Sequence, residues 1–126
     1  MLNDGKCRCT CPGATVWVTG RSLADRRAAA FTMAERLTAE GRRVQVLDRP
    51  VATGEDTDRT GITAEVLARN GLVAIVPCTT DAARDTAGVR TRHAASGTRY
   101  VEVCVAEAQC PEDSAALAHE RLTGRR

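Results

Sequence analysis

Ala14-Thr15-Val16-Trp17-Val18-Thr19-Gly20-Arg21-Ser22-Leu23-Ala24-Asp25-Arg26-Arg27-Ala28 is the stretch on which the reading of this chain turns. Its first six residues are apolar or β-branched, the composition of a strand, and Gly20 ends the run. Ser22 then opens an Ala- and Arg-rich segment that predicts a helix from about Leu23 to Glu40. Ala30, Met33, Ala34 and Leu37 share one face of it, and Gly41 stops it. Ser22-Leu23-Ala24-Asp25 is a capping-box-like pattern. The Ser22 hydroxyl is placed to accept the third backbone N–H, and the Asp25 carboxylate stands at the positive helix end.

Outward from this turn the alternation continues. Strands are predicted at Val44 to Leu47, Leu72 to Val76 and Tyr100 to Val105. Leu72-Val73-Ala74-Ile75-Val76 is apolar at every position, as in a strand covered on both faces. Helices are predicted from about Asp58 to Asn70, with Ile62, Val66 and Leu67 inward, and from about Asp81 to Ala95, interrupted by Gly88. A short polar amphipathic stretch, Glu112 to Leu122, comes last. Arg49 to Thr60 reads as a polar loop. The order β-α-β-α-β-α-β-α is that of an α/β fold, a small parallel sheet of about four strands with helices on both faces. The expected organisation is a cysteine-containing tail, residues 1–13, and one α/β domain, residues 14–126.

Composition narrows the function classes. The chain has 126 residues, 18 basic and 16 acidic side chains and a net charge of +2. Lys6 is its single lysine, so lysine chemistry inside the fold has no source. No apolar window reaches membrane-spanning length, and residues 1–12 lack the apolar core of a secretory signal. The expectation is a cytoplasmic protein with free thiols that binds neither membrane nor, with three aromatics in all, nucleic acid. Cys7, Cys9 and Cys11 alternate and could face one metal ion, a possible zinc or other thiophilic site; the competing reading is a tail of free cysteines. Cys104 is expected in the core and Cys110 is assigned nothing. His93 and His119 are read as surface or interhelical residues. The pairs Arg26-Arg27, Arg42-Arg43 and Arg125-Arg126 are read as solvated faces.

In a parallel sheet, ligands bind beyond the carboxyl ends of the strands, and phosphates favour the first strand-to-helix turn. A phosphate-binding P-loop requires Gly, four residues, Gly, Lys, then Ser or Thr. Here Gly20 fits. Asp25 stands in place of the second Gly, Arg26 in place of Lys and Arg27 in place of the magnesium-binding hydroxyl.

Despite that failure, the chain resembles the adenylylsulfate (APS) kinases, P-loop enzymes that phosphorylate the 3′-hydroxyl of APS to make PAPS. The resemblance rests on Gly13 to Gly20, Ala34-Glu35-Arg36-Leu37, Gly41 to Asp48, Ala64 to Pro77 and Arg90 to Val105. It implies the strand order 2-3-1-4 and a tendency to dimerise. The family's Leu-Asp-Gly-Asp is here Leu47-Asp48-Arg49-Pro50, so Asp48 is the residual match to its carboxylates. Its Ser-Pro-Tyr-Arg element is here Thr80-Asp81-Ala82-Ala83, and Cys78 and Thr80 mark the corresponding ligand edge. The lid and fifth strand that follow in the family are not recognisable.

The resemblance and the residues together imply a degenerate phosphate loop at Gly20, Ser22, Asp25, Arg26 and Arg27. The function expected is that of a catalytically inactive APS-kinase homologue acting by binding, as an accessory or scaffold protein in sulfur or specialised metabolism. No cofactor is expected. The alternatives are a residual or altered APS kinase or nucleotide-binding transferase using ATP and Mg²⁺, and a thiol or metal carrier using Cys7, Cys9 and Cys11. A homo-oligomer, or a protein partner, is expected to cover the exposed sheet edge.

Overall fold

The computed structural model describes residues 13–20, 22–48, 54–77 and 87–105, with 120 and 122. Within them the chain runs β1 (Ala14–Gly20), α1 (Leu23–Ala39), β2 (Val44–Val46), α2 (Gly54–Arg69), β3 (Val73–Val76), α3 (Ala87–Ser96) and β4 (Arg99–Val105). The strands form one parallel sheet in the order β2-β3-β1-β4, as expected.

β1 lies inside the sheet, paired with β3 through Ala14↔Val73 to Trp17↔Val76 and with β4 through Ala14↔Arg99 to Gly20↔Val105. Successive side chains of a strand point to opposite faces. Ala14, Val16 and Val18 therefore join Ala29, Ala30, Met33 and Leu37 of α1 in one buried cluster, with Val73, Ile75, Val103 and Val105. Trp17 turns to the other face, where it packs with Ala64 of α2, Val89 of α3, and Ala74 and Val76. All four residues of β3 are buried, which accounts for its unbroken apolar run.

Gly41 and Gly71 stand just past α1 and α2, both at φ +88°. The predicted loop over Arg49 to Thr60 is corrected in its second part, because α2 begins at Gly54 rather than near Asp58. Packing is seen from the second turn on: Thr60 is buried, and a Cβ at Gly61 would lie 2.5 Å from a Val89 methyl. That polar stretch carries no apolar period to announce a helix. The predicted inward face of α2 is also corrected. Ile62 and Val66 are 40% and 41% exposed, while Thr60, Gly61, Ala64, Glu65 and Ala68 are buried. Small side chains let α2 approach the sheet and α3 closely, and the larger aliphatics are left outside. Leu67 is partly buried against the Trp17 cluster, as expected.

Two further expectations change. Cys104 is exposed, because alternation along β4 buries Val103 and Val105 and turns Cys104 outward. His93 is fully buried against the sheet rather than at the surface or between helices. Its Nδ1 lies 2.8 Å from the Val89 carbonyl oxygen, which can only accept, so Nδ1 carries a proton. In the neutral ring Nε2 then accepts from the Thr15 hydroxyl at 2.7 Å. The Tyr100 ring lies 5.1 Å from the imidazole and 6.3 Å from the Trp17 ring. At the other end of the domain, Glu120 and Leu122 are helical. Leu122 is buried in the α1-side cluster and its carbonyl accepts from Arg99 Nη1 at 2.9 Å. Leu122, at the end of the last amphipathic stretch, thus contributes to the core.

Glu65 is 5% exposed and forms a 2.8 Å ion pair with Arg69 one turn on. The Ser96 hydroxyl and, after the opposing effect of burial, Arg69 hold its carboxyl below the ordinary value of 4.5.

Two measurements test this packing. Thr15→Val strands His93 Nε2 without a donor and lowers stability by about 1–3 kcal/mol, whereas Thr15→Val with His93→Leu costs clearly less than the two single changes summed. Additive losses in urea unfolding contradict the pairing. For Glu65, the unfolded chain binds the proton more readily. Its contribution is therefore complete above the ordinary value and disappears as pH falls through the lower folded value. Urea midpoints of Glu65→Gln decline less than wild type between about pH 5 and about pH 3; parallel declines contradict the assignment.

Candidate functional site

The carboxyl ends of β1 and β2 and the start of α1 converge on the turn singled out by the sequence. Gly20 leaves β1 at φ +144°, where a Cβ would meet the Val105 carbonyl oxygen at 2.8 Å. Only glycine takes that backbone at that distance without displacement. Ser22 is the N-cap, with extended backbone, and its hydroxyl accepts the Asp25 N–H at 3.2 Å. Half of the capping box is therefore formed. Asp25 is exposed in the first turn of α1, where a carboxylate opposes the positive helix end.

Arg26 overturns the reading of its pair as a solvated face. It is 5% exposed, and its Nη1 donates to the Gly20 carbonyl. Its Nε is buried without a partner. The reason is positional: residues 26, 29, 30, 33 and 37 are the buried stripe of α1, so Arg26 extends that stripe back to the first turn. Its aliphatic stem is covered by the core while the guanidinium reaches the loop. The i, i+3, i+4, i+7 period was present in the sequence, hidden by the charge at position 26.

Arg27 lies on the outer side of the helix and is exposed, as expected. Its Nη2 and Nε reach Asp48 Oδ2 at 2.8 and 3.0 Å. The residue after the P-loop-like lysine position and the residual family carboxylate are thereby brought together, tying the start of α1 to the end of β2. Of the sequence-selected residues, Gly20, Ser22, Asp25, Arg26, Arg27 and Asp48 form one locality at the sheet's carboxyl edge. Cys78 and Thr80, the cysteines at 7, 9 and 11, Cys110 and His119 lie outside the described residues. Among the described residues no group of three or more His, Cys, Asp or Glu side chains is placed to hold a metal, and no helix is long and apolar enough to cross a membrane.

Chemically, the locality presents backbone N–H donors and two guanidinium groups, each already engaged within the chain. Position 27 offers no oxygen ligand for Mg²⁺, and the guanidinium at 26 is turned onto a carbonyl. The residues present do not fit a magnesium nucleotide held in the P-loop manner.

The contributions rank in a way that unfolding experiments read directly. Ser22→Ala costs about 1 kcal/mol through the lost cap. Arg27→Ala costs less than about 1 kcal/mol, because its ion pair is solvent-exposed. Arg26→Ala costs about 2 kcal/mol or more, through its buried stem and its charged hydrogen bond. A neutral Arg26→Ala removes the claim that this side chain is part of the core.

No protein-family model matches the chain, and no curated protein matches it significantly. Solved structures do. A mutant of the APS kinase CysC from Mycobacterium tuberculosis superposes with a TM-score of 0.80 at 22% identity, over 90% of this chain and 99% of that one. The same enzyme in complex with AMPPNP and APS matches at 0.67 and 27% identity, over 74% of this chain and 62% of that one. A hexameric APS kinase from Thiobacillus denitrificans matches at 0.74 and 21% identity, over 88% of this chain and 29% of that one. With its sheet order β2-β3-β1-β4, helices on both faces and a capped helix after the first strand, the chain has the APS kinase-like fold of the P-loop kinases.

Proposed function

We propose that this protein acts by binding, as a catalytically inactive relative of the APS kinases in sulfur or specialised metabolism. The observation that carries the reading is the engagement of Arg26. The guanidinium where the family's phosphate-gripping lysine belongs is buried and donates to Gly20. Phosphoryl transfer depends on positioned charge around the γ-phosphate, with Mg²⁺, a lysine and backbone N–H groups sharing it. Arg26 is bulkier than a compact ammonium, Arg27 is no magnesium ligand, and Asp25 sets a negative charge against phosphate oxygens. The chain's own groups serve the helix end in place of a bound anion. Self-association fits the same reading, since β4 is an edge strand among the described residues and one structural relative is hexameric.

The competing reading is a transferase that still takes ATP and APS. Thermal melts with Mg-ATP, Mg-ADP and APS separate the two. A ligand at a hundred times its Kd stabilises by about 2.7 kcal/mol, a shift of several degrees for a domain of this size. The expected result is no shift for the natural chain, and a shift for the triple variant Asp25→Gly, Arg26→Lys, Arg27→Ser, which restores the P-loop residue pattern. A nucleotide-dependent shift in the natural chain, or PAPS formed from ATP and APS, overturns the proposal.

A further inference from the structure

α2 and α3 lie side by side over the Trp17 face of the sheet, leaving an open cleft of about 600 Å³ between them on the outside of the molecule. Glu65 and Arg69 line it from α2; Gly88, Thr91, Arg92, Ala95 and Ser96 line it from α3. The α3 positions recur at i, i+3, i+4, i+7 and i+8, one face of a helix. The small Gly88 and Ala95 keep its ends low. On the α2 side, Ile62, Glu65 and Arg69 fall at i, i+3 and i+7, so Ile62 and, one turn on, Val66 stand on the helix face adjacent to the two lining residues. These two exposed aliphatics form an i, i+4 ridge on α2.

Among the described residues that line this groove, the accessible charge has one sign. Glu65 is nearly covered, with 6% of its side chain exposed, while the Arg69 guanidinium paired to it is 52% exposed. Arg92 is exposed and forms no ion pair among the described residues. On its surface α3 carries Arg90 and Arg92 and no acid, its His93 being buried against the sheet; Arg90 is engaged with Glu102 of β4. A surface that sets an apolar ridge beside a cationic channel between two helices has the form of a helix-in-groove receptor. Its complement is apolar on one stripe and acidic beside it.

We infer that the α2–α3 groove is a docking site for an acidic amphipathic helix of a partner protein, with aliphatic side chains on Ile62 and Val66 and carboxylates on Arg92 and Arg69. A second copy of this chain is a poorer occupant. A two-fold contact through this groove sets the Arg69 and Arg92 of one copy against those of the other, and like charges brought together cost association. The inference stands independently of the phosphate loop, whose side chains lie at the carboxyl edge of the sheet.

The test uses the full chain and a designed peptide of about 18 residues, with Leu at i, i+3, i+4 and i+7 and Glu flanking the Leu stripe. One control replaces every Glu by Lys, and a second scrambles the order. Fluorescence anisotropy is expected to show saturable binding of the acidic peptide alone, weakening as salt rises. Arg92→Glu and Ile62→Asp each reduce affinity by about tenfold or more. Both positions are exposed, and unchanged melting temperatures confirm that the variants fold. Equal binding of the scrambled or Lys peptide, indifference to both substitutions, or no binding by the natural chain overturns the inference. So does concentration-dependent self-association abolished by Ile62→Asp, which assigns the groove to a second copy. None of these outcomes alters the nucleotide melts, so failure here and failure of the inactive-kinase reading are told apart.

Discussion

The structure depends on the position of β1. It is hydrogen-bonded on both sides, to β3 and β4, and covered on both faces. A strand so placed has no water to turn to for its polar groups. Pairing with β3 and β4 engages its backbone, Ala14, Val16 and Val18 bring no polar side chain, Thr15 is served by His93, and Trp17 Nε1 is left buried without a hydrogen-bond partner. The two faces cannot be covered by one helix, so α1 takes one and α2 with α3 take the other. Parallel pairing then sends each crossover helix away from the carboxyl ends of the strands, which is why Gly20, Ser22, Arg26 and Asp48 collect there.

The same geometry makes the first turn chemically consequential. A helix N-terminus aimed beyond a strand's end leaves N–H groups that need acceptors. In this chain Ser22 accepts one of them, and the Asp25 carboxylate stands at the same end. Arg26 and Arg27 add positive charge at the same place, yet each is committed, one to Gly20 and the other to Asp48. The commitments differ in depth. The Arg27 pair is exposed and screened by solvent, whereas the buried Arg26 stem is continuous with the packing of α1. The Arg26 Nε is buried without a hydrogen-bond partner, a desolvation cost of placing a guanidinium where the core begins.

α2 shows how far residue pattern alone can mislead. Its large aliphatics, Ile62 and Val66, point outward, and its buried face is built from Gly61, Ala64, Glu65 and Ala68. Apolar periodicity identifies a buried face when burial is decided by transfer energy. It fails where interhelical distance decides, because close approach selects small side chains and leaves larger ones outside. A carboxylate in the buried face, paired with Arg69 and reached by the Ser96 hydroxyl, further disguised it.

What the sequence by itself determined is the alternation of strands and helices, the apolar β3, the Ser22 cap and the mismatch of positions 25 to 27 with a phosphate loop. These follow from local properties: β-branched runs, a capping side chain, and spacings counted along one chain. Strand boundaries held to within a residue for the same reason. The tertiary structure alone decided that Arg26 is buried, that Asp48 holds Arg27, that His93 serves Thr15 and that Cys104 faces outward. Each depends on a partner distant in sequence or on which side of a strand receives cover. A charged or polar side chain carries no local mark of that environment. Its place is fixed by what the other elements leave open when the sheet closes around β1.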